Sequence, residues 1–482
     1  MQHGSAMRNP MSNPIKRAPL AATLPLVSLL VLAAASPVLA QTGTKSSSTK
    51  APASKDLSKA VEQTGKQPAK PQTNSDQAGP VALDATGPAT VEQNAPPPPT
   101  QVVTRNWSQS DARALLDQIK LANHYGLVPS AYNPSGLQAA IEGGDQAQLT
   151  QVATDSFLKL ARHLRDGSTP KSAKIEWFVK DDDAYTHTDD LLLAQATEQH
   201  DVAGALASLE PTHNDYKLLK AELAKTPASE TAKIGLIRTN LERWRWLPRD
   251  LGQRYIFVNV PEYTAQLADS GKLLRTHRVI VGNSKTPTPQ LNVDAKGVFL
   301  NPVWYLPQSI IDEGVGALIR NNPAQAKARG YTWTKSGNKL YVQQKASVDN
   351  SLGMMKMDMP NDHAIFLHDT PAKNLFNTTN RAYSHGCIRT DRAVEFAAFM
   401  AIYYGGKTTD ELKQIIYSGE TKQIPFPEPI PVYINYFTAR VEDGQFKKFA
   451  DIYGRDRPVL ASMGYKAPAA TPAKKPAAKK KG

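Results

Sequence analysis

The feature that most constrains this chain is a short segment, residues 365–400, which contains its only cysteine. Residues 365–367 (Ile-Phe-Leu) are apolar and predict a short buried strand that leads into His368. After Cys387, the apolar residues between 391 and 400 recur at helical spacing. The segment therefore predicts a strand, a loop and a helix, with the thiol at or just before the helix N-terminus.

The predicted surroundings of this thiol favour a nucleophile. A helix N-terminus carries partial positive charge and lowers a thiol pKa, and a nearby imidazole can take the proton. His368 and His385 both lie within twenty residues of Cys387 in the sequence. An inert, buried side chain is the usual alternative for a lone free Cys, but two histidines and Gly386 beside the thiol argue for chemistry.

The order of the residues around the thiol carries a resemblance. His368 is followed, after fifteen residues, by Ser-His-Gly-Cys-Ile-Arg at 384–389. This pattern resembles the signature of the L,D-transpeptidases with a YkuD-type catalytic domain. Residues 367–371 (Leu-His-Asp-Thr-Pro) and 381–384 (Arg-Ala-Tyr-Ser) are similar to the large, YcbB-like branch of that family. The resemblance extends over about residues 105–455.

These residues predict covalent acyl transfer by a cysteine nucleophile. We expect Cys387 to attack a peptide carbonyl as the thiolate and His368 to act as general base and then as general acid. His385 is expected to play a supporting part. The backbone N–H groups of Gly386 and Cys387 are the candidate oxyanion hole.

Three further residues are candidates for binding the substrate or ordering the site. Arg389 can pair bidentately with a substrate carboxylate, although a surface salt bridge is the open alternative. Asp369, or its carbonyl group, is placed in sequence to orient the His368 ring. Ser384 is expected to form hydrogen bonds within the loop rather than to act as a nucleophile.

The resemblance implies the substrate. Enzymes of this family acylate at the third residue of a peptidoglycan tetrapeptide stem, usually diaminopimelate, release D-Ala, and form 3→3 crosslinks in cell wall biogenesis. The same Cys-His site would also suit an L,D-carboxypeptidase or an enzyme that attaches or detaches wall proteins, and a non-catalytic envelope-binding scaffold is a further alternative. The sequence shows no metal-ligand cluster and no nucleotide-binding loop, so we expect neither a metal nor another cofactor.

The N-terminal residues predict export to the periplasm. Lys16 and Arg17 precede an apolar run at 20–35, and residues 38–40 (Val-Leu-Ala) fit a cleavage site. An uncleaved membrane anchor is the alternative, but the run is short for a span. We therefore predict a signal peptide at 1–40 and no stable transmembrane span after its cleavage. A single Cys cannot form an internal disulfide, so stability must come from core packing.

The remaining sequence predicts an α+β protein with two ordered regions. Residues 41–105 are rich in Ser, Thr, Ala, Pro and Gln and predict a disordered linker. Residues 106–230 predict a helical scaffold domain, and residues 231–460 a mainly β catalytic domain. Within it, residues from about 307 to 350 break the strand pattern and are interpreted as a short capping flap, with a plain surface insertion as the alternative. Residues 461–482 form an Ala/Lys/Pro tail.

The net charge of +13 is concentrated in the tails. Residues 1–105 contain ten Lys or Arg and five Asp or Glu, and residues 466–482 contain six Lys and no acidic residue. Residues 106–465 therefore have a net charge of only +2. The C-terminal tail is expected either to attract an anionic envelope polymer or to be a solvated tail without a partner. An exported chain is not expected to bind nucleic acid.

Overall fold

The computed structural model describes residues 105–180 and 186–464. The predicted signal peptide, nearly all of the predicted linker and most of the basic tail lie outside the described residues. The described part is helical at its N-terminal end and mainly β after residue 253, which confirms the predicted α+β class. Among the described helices, none is long and apolar enough to cross a membrane.

The N-terminal region is built almost wholly of helices. They are α1 Gln109–Lys120, α2 Pro134–Gly143, α3 Gln146–Asp166, α4 Asp189–Thr197, α5 Val202–Ala207, α6 Asn214–Lys225 and α7 Thr231–Trp244. Short 3₁₀ turns lie at Leu121–Tyr125, Pro129–Tyr132 and Lys171–Ala173, and the two-residue strand β1 is Trp177–Phe178.

Side-chain caps define where these helices begin. Residues 108–111 (Ser-Gln-Ser-Asp) predict cap residues before an amphipathic helix, and the Ser108 side chain accepts a hydrogen bond from the Asp111 N–H at 3.1 Å at the start of α1. Asp145 accepts from the first turn of α3 in the same way. The apolar faces of α1 to α5 then meet in one buried cluster that includes Leu115 and Phe157, so burial stabilises helices that would be marginal alone.

The C-terminal region, from residue 253 onward, is organised around one large sheet. Its strands after β1 are β2 Arg254–Asn259, β3 Thr264–Asp269, β4 Lys272–Gly282, β5 Gln290–Leu300, β9 Met355–Asp358, β10 Leu367–His368, β11 Ala382–Ser384, β12 Ile388–Thr390 and β13 Lys422–Asn435. The strand order is β1-β5-β13-β2-β3-β4-β12-β10-β9, and β11 pairs with β4. Because β9 also pairs with β5, the strands in the order β5-β13-β2-β3-β4-β12-β10-β9 form a closed ring.

Three helices and a small hairpin complete this region. They are α11 Ala393–Tyr403, α12 Thr409–Ser418, α13 Asp456–Ser462 and the antiparallel pair β14 Ala439–Glu442 and β15 Gln445–Lys448, and a 3₁₀ turn spans Lys373–Asn377. Residues 269–271 (Asp-Ser-Gly) predict a hairpin turn between two strands. The turn is confirmed, since Ser270 and Gly271 both have positive φ angles between the paired residues Asp269 and Lys272.

The sequence predicts an N-cap at Thr409 and a strand at residues 432–437, and the structure corrects both boundaries. Helix α12 is capped by Thr408 rather than Thr409, because the Thr408 hydroxyl accepts from the Glu411 N–H and the Glu411 carboxylate accepts from the Thr408 N–H, forming a capping box. The strand predicted at residues 432–437 begins ten residues earlier, at Lys422, and passes through an irregular register between Pro425 and Ile430.

Helix α7 lies between the two regions. Its residues Ile237, Leu241 and Trp244 share a buried cluster with side chains of α6 and with Phe257 and Phe437 of the C-terminal region. The predicted division at residue 230 falls just before this helix, and it stays a prediction.

The predicted flap is a small unit with its own core. It comprises β6 Trp304–Tyr305, α8 Gln308–Ile310, a π-helical turn Ile311–Val315, α9 Gly316–Asn321, α10 Pro323–Ala328, β7 Tyr331–Ser336 and β8 Lys339–Gln344. Its strands form a separate sheet in the order β6-β8-β7. Leu306, Ile311, Ile319 and Val342 pack together beneath the sheet, so the segment holds its own shape beside the larger sheet.

Candidate active site

Cys387 lies at the end of the loop that leads into β12. The Ile388 N–H donates to the Phe366 carbonyl at 3.0 Å, which begins the parallel pairing of β12 with β10. The thiol donates to the Ala364 carbonyl at 3.5 Å. The side chain is half-buried and packs against the core of the large sheet.

The prediction that this thiol sits at a helix N-terminus was wrong. Strand β12 separates Cys387 from α11, which begins only at Ala393. The helix dipole acts within the first turn, so it does not lower the thiol pKa here. Burial instead raises the pKa of the Cys387 thiol, although Lys356 and Arg389 act in the opposite direction. The resting group is therefore a protonated thiol.

His368 ends β10 and is only 5% exposed. Its Nδ1 atom forms a hydrogen bond with the Asp369 carbonyl oxygen, so Nδ1 carries the proton and Nε2 is left as an acceptor. Burial lowers the pKa of His368 to about 3, helped by the positive charge of Arg389. The imidazole is thus neutral, which is the form that can accept a proton.

The strand register places three basic side chains in one row across the sheet. Arg389 on β12 pairs with His368 on β10, and His368 pairs with Lys356 on β9. Directly paired residues project from the same face of a sheet with Cβ atoms about 5 Å apart. The charges of Arg389 and Lys356 both act on the Cys387 thiol, so the row and the thiol belong to one site.

Lys356 was missed by the reasoning from sequence. It stands between Met355 and Met357, which are both fully buried, and its Nζ atom lies 4.5 Å from the centroid of the Phe366 ring. A Lys between apolar residues of a predicted strand was the available signal. It could not be used without the register that brings β9 beside His368.

The loop before Cys387 is held by hydrogen bonds of its own. The Ser384 hydroxyl donates to the Cys387 carbonyl at 2.5 Å and accepts from the Gly386 N–H at 3.2 Å. Gly386 has a φ angle of +110°, and a Cβ atom there would approach Ile365 Cδ1 to 3.0 Å. Glycine is therefore needed for this turn.

These bonds bear on the predicted roles of two loop residues. The Gly386 N–H already donates to Ser384, so it does not point to an oxyanion as expected. The Cys387 N–H forms no hydrogen bond with another residue in the described part of the chain and remains the candidate donor. Ser384, only 2% exposed, forms hydrogen bonds within the loop, as expected.

Asp369 also has a different position from the one expected. Its carboxylate is buried, accepts from the Met354 N–H at 2.9 Å and pairs with Lys373. The predicted substrate contact through this side chain is therefore corrected to a structural one. Its carbonyl group, the other alternative, is the part that contacts His368.

His385 faces the flap rather than the thiol. Its Nε2 atom lies 2.9 Å from the carboxylate of Glu313, in the π-helical turn of the flap, and both side chains are about half exposed. The flap thus touches the catalytic loop one residue away from Gly386, which favours the capping interpretation over a remote surface insertion.

Comparisons with known proteins agree with this geometry. Residues 253–423 match the model of the YkuD L,D-transpeptidase catalytic domain, and residues 104–223 match that of a scaffold domain. The chain thus contains a YkuD-type catalytic domain and a scaffold domain, the combination found in YcbB-like proteins, and the predicted resemblance is confirmed.

Individual proteins similar to this chain are named as L,D-transpeptidases. The chain is 30% identical over 289 residues to a putative L,D-transpeptidase of Haemophilus influenzae, a match that covers 56% of this chain and 58% of that relative's length. Two similar solved structures are an L,D-transpeptidase from Mycobacterium smegmatis (13% identity, 38% of this chain and 58% of that one, TM-score 0.19) and L,D-transpeptidase 3 from Mycobacterium tuberculosis (10%, 38% and 61%, TM-score 0.21). These scores are low, so the assignment rests on the family matches.

Proposed function

We propose that this chain, which carries an L,D-transpeptidase catalytic domain together with a scaffold domain, forms 3→3 crosslinks between peptidoglycan stem peptides through a thioester on Cys387. The observation that supports this most strongly is the parallel pairing of β10 with β12, which sets a neutral His368 imidazole beside the segment that bears the thiol. The Asp369 carbonyl holds the ring with Nε2 as the free acceptor.

The first half of the reaction is acylation. The Cys387 sulfur forms a bond with the carbonyl carbon of the third residue of the donor stem, while its proton passes to Nε2 of His368. The Cys387 N–H stabilises the oxyanion. The bond to the terminal D-Ala then breaks, and the protonated His368 gives its proton to the departing amine. A thioester and free D-Ala result.

The second half of the reaction transfers the acyl group. The side-chain amine of a second stem attacks the thioester carbonyl and gives a proton to His368. The new amide bond forms as the carbon–sulfur bond breaks, and the thiolate recovers its proton from His368. The enzyme returns to its resting state without a net change in protons.

The proposed substrate places the mature chain in the cell envelope. This agrees with the predicted signal peptide at 1–40 and a periplasmic location. The Lys-rich tail at 461–482 would bind anionic polymers there as a secondary contact.

The proposal is tested by incubating residues 41–482 with disaccharide-tetrapeptide and separating the products by mass spectrometry, with Cys387→Ala alongside. We expect a dimer that lacks one D-Ala, absent with the variant. A monomer that has merely lost D-Ala would instead establish an L,D-carboxypeptidase. If neither product forms and Cys387 does not react with a thiol reagent, the chain is a binding scaffold.

A further inference from the structure

Two cations beside the thiol have no acidic partner. Arg389 and Lys356 stand on either side of His368 in one row of the sheet. Neither forms a salt bridge with another residue within 105–180 or 186–464, and the Arg389 Nε atom is buried without a hydrogen-bond partner. Burying an unpaired cation costs free energy, so a pair of them beside the thiol indicates a ligand.

The Lys356 ammonium group is held at the site by its neighbours. Its Nζ atom lies 4.5 Å from the centroid of the Phe366 ring and 5.8 Å from that of Phe299. Such cation–π contacts restrain a flexible side chain. The Phe366 ring in turn lies 5.6 Å from the His368 ring, so the ammonium group stays on the side of the sheet where the imidazole lies.

Other charges near this row offset its positive charge only in part. Asp358 attracts Lys356 from two residues along β9, but its carboxylate accepts a hydrogen bond from the Gln423 side chain at 2.6 Å. Lys373 adds a further positive charge near His368, although its ammonium pairs with Asp369. The face is therefore electropositive and suited to an anion.

We propose that Lys356 and Arg389 together bind the C-terminal carboxylate of the donor peptide, which belongs to the leaving residue. This inference rests on the proposed function. Residues two apart on an extended strand are about 7 Å apart, which is the span from Cys387 to Arg389. A carboxylate one residue beyond the scissile carbonyl lies about 4 Å from that carbonyl carbon. With the thiol about 3 Å from the carbon, the carboxylate reaches the two cations.

Lys356 and Arg389, together called the clamp, would have two effects on the reaction. The clamp selects donors that end, with a free acid, one residue after the scissile bond, because a longer or amidated peptide leaves the cations unpaired. The carboxylate that it binds also offsets part of the positive charge that repels a protonated His368, so that the imidazole can hold the thiol proton during the attack.

The first test uses the fact that Cys387 is the only thiol in the chain. Iodoacetate and iodoacetamide both react with the thiolate, so the ratio of their rates reports the local charge independently of the thiol pKa. We expect Lys356→Met to lower the iodoacetate-to-iodoacetamide ratio about tenfold. Lys356→Arg should keep the ratio. Lys296→Met, which removes an exposed Lys from the same sheet, should leave it unchanged.

An unchanged ratio in folded Lys356→Met, or an equal fall in Lys296→Met, would overturn the clamp. This test does not need turnover, so it separates the clamp from the proposed transpeptidase activity. Circular dichroism of each variant shows whether it is folded, and Lys356→Arg provides the folded comparison if Lys356→Met is not.

The second test compares tetrapeptide donors that end in a free acid or in an amide. With the wild-type chain we expect the acid to have at least a tenfold higher kcat/KM, mostly through KM, since removing one charge-assisted hydrogen bond weakens binding by about that factor. Lys356→Met should lower this preference by slowing only the acid, while Arg389 continues to contact the carboxylate. A preference that is unchanged in Lys356→Met contradicts the clamp, whereas a wild-type chain that uses neither donor contradicts the proposed function.

Discussion

Buried charges occur in two parts of this molecule, and their partners differ. At the end of α7, Glu242 and Arg245 are both fully buried and lie 3.2 Å apart. Glu242 also accepts from the Thr169 N–H at 2.7 Å and the Trp246 indole at 3.4 Å. Each of these contacts is made with another residue of the chain, so the charges here stabilise the folded structure.

The row of basic residues on the large sheet, in contrast, contains charges that have no acidic partner among the described residues. These charges belong to Arg389 and Lys356, which flank a neutral His368. A paired buried charge holds a structure in place, whereas an unpaired one lowers stability and is retained where a ligand needs it. The comparison predicts that changes in the two regions will affect stability and activity in opposite ways.

The largest effect is expected from Cys387→Ala. The variant should release no D-Ala and form no crosslink, because no other thiol exists in the chain. Its thermal unfolding should match that of the wild type, since the half-buried thiol makes a single weak hydrogen bond. Calorimetry beside the turnover assay checks both, and a variant that remained active would contradict the assignment of the nucleophile.

The pH dependence of thiol alkylation should show a single rising limb. Burial raises the pKa of Cys387, so the rate with iodoacetamide should climb about tenfold per pH unit to a midpoint above the ordinary thiol value. His368, with its pKa lowered to about 3, is neutral throughout this range. An inflection near about pH 6.5 would instead reveal a thiolate–imidazolium pair and contradict the neutral resting site.

A loss of stability is expected from Glu242→Gln at the end of α7. The change leaves the Arg245 guanidinium buried without its counter-charge, which should cost about 3 kcal/mol of unfolding free energy. Glu395→Gln is the matched control, because its ion pair with Arg392 is exposed and should change stability by less than about 0.5 kcal/mol. Urea unfolding measures both, and equal losses would remove the distinction between buried and exposed pairs.

The smallest effect, and of opposite sign, is expected from Lys356→Met. Replacing an unpaired, half-buried ammonium by an apolar side chain of similar length should raise the unfolding free energy by about 0.5 kcal/mol, while it weakens use of acidic donors. Urea unfolding under the same conditions checks this. If Lys356→Met destabilised the chain as much as Glu242→Gln, the row would be part of the structural framework.

The sequence predicted the helices and strands well because their signals are local. The cap at Ser108 and the turn at residues 269–271 depend on neighbours in sequence, and both are found. The nucleophile and base were recognisable from the spacing of His368 and Cys387, and the register of β10 with β12 places their segments side by side.

The parts of the site that depend on register and loop geometry were not predictable. Lys356 joins the row only because β9 pairs with β10. The bond from the Gly386 N–H to Ser384, which takes this donor away from the oxyanion, depends on the path of the loop. The predicted helix N-terminus at the thiol was wrong because three residues of β12 intervene, and no local pattern distinguishes a short strand from the start of a helix there.

The most direct measurement is the intact mass of the protein after incubation with a tetrapeptide donor in the absence of an acceptor amine. The account predicts an adduct equal to the donor minus D-Ala, located by peptide mapping on Cys387 and absent from Cys387→Ala. An adduct on another residue, or D-Ala release that persists in Cys387→Ala, would contradict the cysteine acyl-enzyme.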